Sequence, residues 1–164
     1  MKLHLRQVAT ALALAGFTIG TASAEVCSPN TVSLVAGQHN YAGTVSITYE
    51  DGRICATYAT DGGWLLTETH LSIETSLAAI PQTGSGNPKP GQFTYKTTHK
   101  PPVTTFTYCT QRGLPSGEEI FIAAHAVVQK GSQRETAWAG DLDFPGANWA
   151  TYFTVTCEGG PQDS

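Results

Sequence analysis

The stretch Thr44-Val45-Ser46-Ile47-Thr48-Tyr49-Glu50, followed by Asp51-Gly52, Arg53–Thr60, Asp61-Gly62-Gly63 and Trp64–Glu74, decides the fold. Its first run alternates. Val45, Ile47 and Tyr49 lie on one face and Thr44, Ser46 and Thr48 on the other, which is the period of a strand. Asp-Gly between two such runs favours a type I′ turn, because both central residues need positive φ. Asp61-Gly62-Gly63 makes the next turn. Three strands joined by tight turns form an antiparallel meander.

The same reading extends outward. Thr31–Ala36, Gln92–Thr98, Val103–Cys109, Glu119–Gln129, Glu135–Gly140 and Ala150–Cys157 are further strand-like runs, for a total of about nine. Ser76–Ile80 has room for one helical turn. Pro81–Gly91 reads as a loop long enough to be functional, and Lys100-Pro101-Pro102 as a second break. No internal repeat, heptad or long amphipathic helix is present. The chain is predicted to be an all-β, antiparallel β-sandwich of the immunoglobulin-like or jelly-roll-like kind.

Residues 1–24 read as a signal peptide. Lys2 and Arg6 are followed by the apolar run Val8–Gly20 and by Thr21-Ala22-Ser23-Ala24, a small-x-small cleavage pattern. The run is too short for a stable membrane span. Residues 25–157 are then one β domain and 158–164 a flexible tail. Export implies an oxidising compartment, extracellular or, in a Gram-negative cell, periplasmic. The four cysteines are therefore expected in two disulfides. Four cysteines allow three connectivities. Cys27–Cys157 with Cys55–Cys109 is preferred, because sandwich termini lie close together.

Removal of Lys2 and Arg6 takes the basic residues from 9 to 7 against 13 acids, a balance of −6. An acidic chain argues against nucleic acid and anionic membrane as partners. Charged residues make up only 13% of the chain, half the usual share of about 25%. The surface must be built from Thr, Ser, Gly, Gln and Asn.

Three segments carry the chemistry-bearing side chains. In Trp64–Leu71, strand alternation puts Glu68 and His70 on one face, with Trp64 and Leu66, and turns Leu65, Leu71 and Ile73 the other way. In Phe121–Val128, His125 sits in an otherwise apolar run, and a buried neutral imidazole needs partners for both nitrogens. In Glu135–Phe144, Glu135 and Ala137 share a face, Trp138 points opposite, and Asp141 and Asp143 follow in a loop before Asn148-Trp149. Glu68, His70, His125 and Glu135 together are a donor set for a divalent ion such as zinc. Asp141 and Asp143 suggest calcium more weakly. The sequence itself requires no cofactor. The plainer reading is a buried polar network that orients strands. No Gly-x-Ser-x-Gly or His-Glu-x-x-His motif names a reaction.

The segments Gly63–Leu71, Gly86–Phe93, Ala123–Ala126 and Glu135–Ala139 through Asn148–Phe153 resemble a β-rich domain of unknown function found in exported and cell-surface microbial proteins. The resemblance covers residues 43–157. It implies an extracellular location and groups Glu68, His70, His125, Glu135 and Trp138 into one constellation. Trp138 and Trp149, with Asp141 and Asp143, are candidates to stack on and hydrogen-bond a sugar. The sequence is thus read as a secreted binding or assembly module for a glycan or cell-surface polymer. The rival readings are a small metal-dependent enzyme using the His/Glu cluster and a self-assembling structural subunit.

Overall fold

The structure is a computed structural model. It describes residues 26–158, apart from 51, 112, 113 and 115. The expected signal peptide, the tail beyond residue 158 and the first residue of the Asp51-Gly52 turn lie outside the described residues.

Eleven strands account for most of the described residues: β1 (Val26–Ser28), β2 (Thr31–Ala36), β3 (Asn40–Glu50), β4 (Arg53–Thr60), β5 (Leu65–Glu74), β6 (Tyr95–Val103), β7 (Thr105–Cys109), β8 (Glu119–Lys130), β9 (Gln133–Ala139), β10 (Leu142–Asp143) and β11 (Thr151–Glu158). Each of the nine strand-like runs has its counterpart, and β1 and β10 are the additions. Single 3₁₀ turns occur at Leu77–Ala79, inside the expected helical turn, and at Pro90–Gln92. No helix among the described residues is long and apolar enough to cross a membrane.

All pairings are antiparallel. The β2-β3-β4 meander forms as the turns dictate, with Glu50 opposite Arg53 across the first turn and Gly52 at φ 73°. From β4, pairing runs through β3, β2, β9, β8 and β5 to β6. β6 then passes through Thr104 directly into β7, which pairs with β4. The sheet therefore wraps round and returns on itself through one bent segment, 95–109, and encloses the core. Lys100-Pro101-Pro102 does not break the strand as expected. It lies within β6, and the bend falls at Thr104. β11 joins the amino-terminal half of β8 and carries β1 and β10 on its other edge.

Both expected disulfides are present. Cys27–Cys157 joins facing residues of β1 and β11, and Cys55–Cys109 joins facing residues of β4 and β7. The first closes a loop of 130 residues. In the chain-entropy account, a loop that long contributes about 4–5 kcal/mol by restricting the unfolded state.

β8 separates two apolar regions. Its inner residues Ile120, Ile122, Ala124, Ala126 and Val128 join Leu34, Leu66, Leu71, Ala137 and Phe153 in the main core. Its outer residues Phe121 and Ala123 belong to a second cluster with Trp138, Ile80, Phe93, Phe144, Ala150, Trp149 and Tyr152. The 75–94 and 141–150 segments supply much of this second cluster and lie over the outer face. Asn87 ties them together. Its side-chain carbonyl accepts the Asn148 N–H at 3.1 Å, and the Gly146 N–H donates to the Gly86 carbonyl at 3.2 Å. The Pro81–Gly91 loop is thus half of a cap.

A bulge in β5 corrects one expectation. The register shifts between Leu66, which faces Val128, and Glu68, which faces Val127. Thr67 is the extra residue, and its hydroxyl donates to the Val127 carbonyl at 3.0 Å. One extra residue reverses the alternation. Trp64 and Leu66 therefore enter the main core with Leu71, while Glu68 and His70 face outward.

Candidate functional site

Directly opposed residues in an antiparallel sheet share a face. Register alone therefore lays a row of side chains across the outer surface. Lys96 of β6 faces His70, His70 faces His125, His125 faces Trp138, Trp138 faces Val35 of β2, and Val35 faces Tyr41 of β3. The middle of the row is buried, with His125 at 7% and Trp138 at 6% exposure, whereas Tyr41 at its end is 53% exposed.

His70 and His125 meet nitrogen to nitrogen, Nδ1 to Nδ1, at 3.1 Å. One ring must donate and the other accept, so the contact needs at least one bare nitrogen. The His125 ring lies against Trp138, with centroids 4.7 Å apart. Phe93 and Phe144 close over the same indole at 6.3 and 6.2 Å. Burial pushes the His125 imidazole down to about 3, and the charge His70 would carry pushes the same way. His70 is also lowered, first by burial and then by Lys96, with Glu68 acting in opposition. The site therefore holds two neutral imidazoles at neutral pH.

The carboxylates do not complete a metal set around this pair. Glu68 shares the outer face but is ion-paired with Arg134 at 2.8 Å. Glu135 faces Val128 and so lies on the opposite face of β9 from Trp138. There it accepts from Gln133 at 3.3 Å and approaches Gly37. Asp141 and Asp143 are exposed, beside and within β10. Among the described residues, no group of three or more His, Cys, Asp or Glu is arranged to hold a metal ion.

Beside the buried row is a hollow of about 270 Å³, lined by Val35, Gln38, His39, Trp138, Gly140, Trp149 and Thr151. Its position follows from three local features. The β2–β3 turn brings Gln38 and His39 to the rim, with Gly37 and Gln38 at φ 54° and 73°. Positive φ is uncommon for a residue with a side chain, and here it places an amide on the rim of a cavity. The cap delivers Trp149, half-buried. Thr151 anchors the far wall, donating to the Ala139 carbonyl at 3.3 Å. The hollow thus offers two indoles, an amide, an imidazole and a hydroxyl.

No known family, curated protein or solved structure matches the chain.

The structure therefore brings His70, His125 and Trp138 into one row and places Glu68 on the same face. Trp149 lies next to Trp138 across the hollow. Asp141 stands just past the Gly140 rim, Asp143 lies further out, and Glu135 is turned away. Sequence reasoning did not single out Val35, Gln38, His39 or Tyr41. The available signal was Gly37-Gln38-His39-Asn40 between two strand-like runs, which marks a tight turn. It also passed over His99. That ring is buried inside the sheet, where its Nε2 meets the Thr69 hydroxyl at 2.9 Å and Thr69 meets Tyr108 at 2.8 Å.

Proposed function

We propose that this chain is an exported, disulfide-bonded binding module whose ligand is a glycan, held in the hollow between Trp138 and Trp149. The observation that carries the reading is the lining of that hollow. Indole surfaces stand beside the Gln38 amide, the His39 ring and the Thr151 hydroxyl. A pyranose presents apolar C–H faces and a rim of hydroxyls. Aromatic faces match the first, and neutral donors and acceptors match the second. The low charge of the chain and the absence of Lys or Arg from the lining favour a neutral glycan over an acidic one. The two disulfides support a life in an oxidising compartment.

The test is a glycan array and affinity electrophoresis in soluble polysaccharides, using wild type and Trp149→Ala. Trp149 is only half-buried, so the variant is expected to fold. The reading expects wild type to be retarded by at least one neutral polysaccharide and Trp149→Ala to lose about tenfold in affinity, the equivalent of about 1.4 kcal/mol. Wild type that binds nothing, or a variant that binds equally well, would overturn it.

A further inference from the structure

A second hollow, about 570 Å³, adjoins the first. It is lined by Pro29, Thr31, Val32, Ser33, Gly140, Asp141, Leu142, Phe153 and Thr154. It exists because the sheet has a gap there. β2 pairs with β9 only through Leu34–Ala36. On the facing edge of β11, β1 takes Thr156–Glu158 and β10 takes Thr151–Tyr152. Thr31–Ser33 and Phe153–Val155 therefore border the gap with no strand between them among the described residues. In an antiparallel strand, alternate residues turn both N–H and C=O to the same neighbour. The Asn30 carbonyl accepts Ile47 N–H from β3, and the Ser33 carbonyl accepts Gly140 N–H from the other side. The backbone groups of Thr31 and Ser33 thus point into the gap. By the same alternation, so do those of Thr154, between Tyr152 and Thr156. Beside the Ser33 carbonyl, which Gly140 takes, these edge groups border a cavity that also holds three hydroxyls and the Asp141 carboxylate.

The two hollows meet at Gly140, which lines both. Its φ is 102°, and a Cβ there would run into the Tyr152 carbonyl. No side chain can stand at this junction, so the ridge between the hollows is backbone alone, the Gly140 N–H bonded to the Ser33 carbonyl. β2 runs beneath both, presenting Thr31, Ser33 and Val35 in turn over roughly 13 Å. Two of the three large apolar side chains exposed among the described residues flank the same path. Leu142 lines the second hollow, and Tyr41 faces Val35 of the first.

We infer that the two hollows are successive subsites of one track, and that the ligand is an internal stretch of an extended neutral or amino-sugar polysaccharide, not a terminal sugar. The inference rests on the glycan reading above and adds its direction and chain length. Trp149 stacks on one unit, with the buried Trp138 as the floor of the hollow. The backbone edges, hydroxyls and Asp141 hydrogen-bond the next, with Leu142 against its C–H face. A track that lacks Lys and Arg and contains a carboxylate disfavours uronic-acid polymers.

The experiment is isothermal titration with mono- and hexasaccharides of the β-glucan and chitosan series, against wild type, Ser33→Phe and Leu142→Ala. Ser33 and Leu142 are exposed, so both variants keep the core, and a thermal melt checks this. Ser33→Phe fills the second hollow. The track expects the wild type to bind a hexasaccharide at least about tenfold more tightly than its monosaccharide. It expects Ser33→Phe to erase that gain and Leu142→Ala to reduce it. Equal affinity for both lengths, or a length gain that survives Ser33→Phe, overturns the track while leaving the Trp hollow standing. No binding by wild type to any oligomer overturns both. A preference for chitosan lost in Asp141→Asn identifies the amino sugar; indifference to that change identifies the neutral chain.

Discussion

The two faces of β8 are built from the same strand by different rules. The inner face is all aliphatic, from Ile120 to Val128. It packs against strands on every side, and the only demand is to fill volume. The outer face has Phe121, Ala123 and His125, and half of its covering comes from loops. There a polar pair is buried and must stay satisfied, and the edge of the same cluster opens into a cavity. The contrast teaches where a binding function can reside. The inner residues of β8 are fully buried. The outer face trades some packing for a half-buried indole, Trp149, and a hydrogen-bonded imidazole pair beneath Trp138.

This difference can be broken at both ends. The largest effect belongs to the inner face. Leu71 is fully buried, and Leu71→Ala is expected to cost about 2–5 kcal/mol by leaving a cavity. The check is the midpoint of urea unfolding with the disulfides intact.

Acid should act most strongly on the outer face. His125 has a native pKa of about 3, against about 6.5 in an unfolded chain. Between those values the unfolded chain holds a proton that the native fold refuses. Stability is therefore complete above pH 6.5 and falls as pH drops toward 3, by about 1.4 kcal/mol per unit for this one group. His70, and His99 inside the sheet, are also lowered by burial and add in the same direction. Unfolding free energy measured from pH 7 to pH 4.5 should show this slope. In His125→Phe it should be markedly shallower. An equal slope in the variant would place the acid sensitivity elsewhere.

At neutral pH the pair itself is worth less. His125→Ala leaves the His70 Nδ1 without its partner and a void under Trp138, for an expected loss of about 1–3 kcal/mol. A variant that melts like wild type would show that the imidazole pair does not hold the outer face together. The smallest effect is at the rim. The Glu68–Arg134 ion pair is largely exposed on the Arg134 side, and Arg134→Ala should change stability by less than about 1 kcal/mol, with any change disappearing in high salt.

The inner face was legible in the sequence because it depends on period two, and period two survives in composition. Val45, Ile47 and Ile54, and the aliphatics of β8, announce themselves. The Cys27–Cys157 pairing followed from the proximity of the termini. The outer face was less legible for three physical reasons. The Thr67 bulge adds a residue without any compositional mark, yet it decides which face Leu66 occupies. Ile80, Phe93 and Phe144 sit in Pro- and Gly-rich segments where no periodicity flags a buried residue. The facing of His70 and His125 is a matter of register between strands 55 residues apart, which no local pattern encodes. Glu135 is the instructive case. Its alternation with Trp138 was plain in the sequence. Once Trp138 faces His125, that alternation places Glu135 on the other side and removes it from the histidine cluster.

The central claim is that the outer face, through Trp138 and Trp149, is where this protein meets a glycan. The most direct measurement is the set of indole and amide NMR shifts of labelled protein as a polysaccharide retained in the affinity screen is added. The account predicts that both indoles and the Gly140, Gln38 and Thr151 amides move first, while the Trp64 indole, buried in the main core, does not. Shifts confined to any other surface would contradict it.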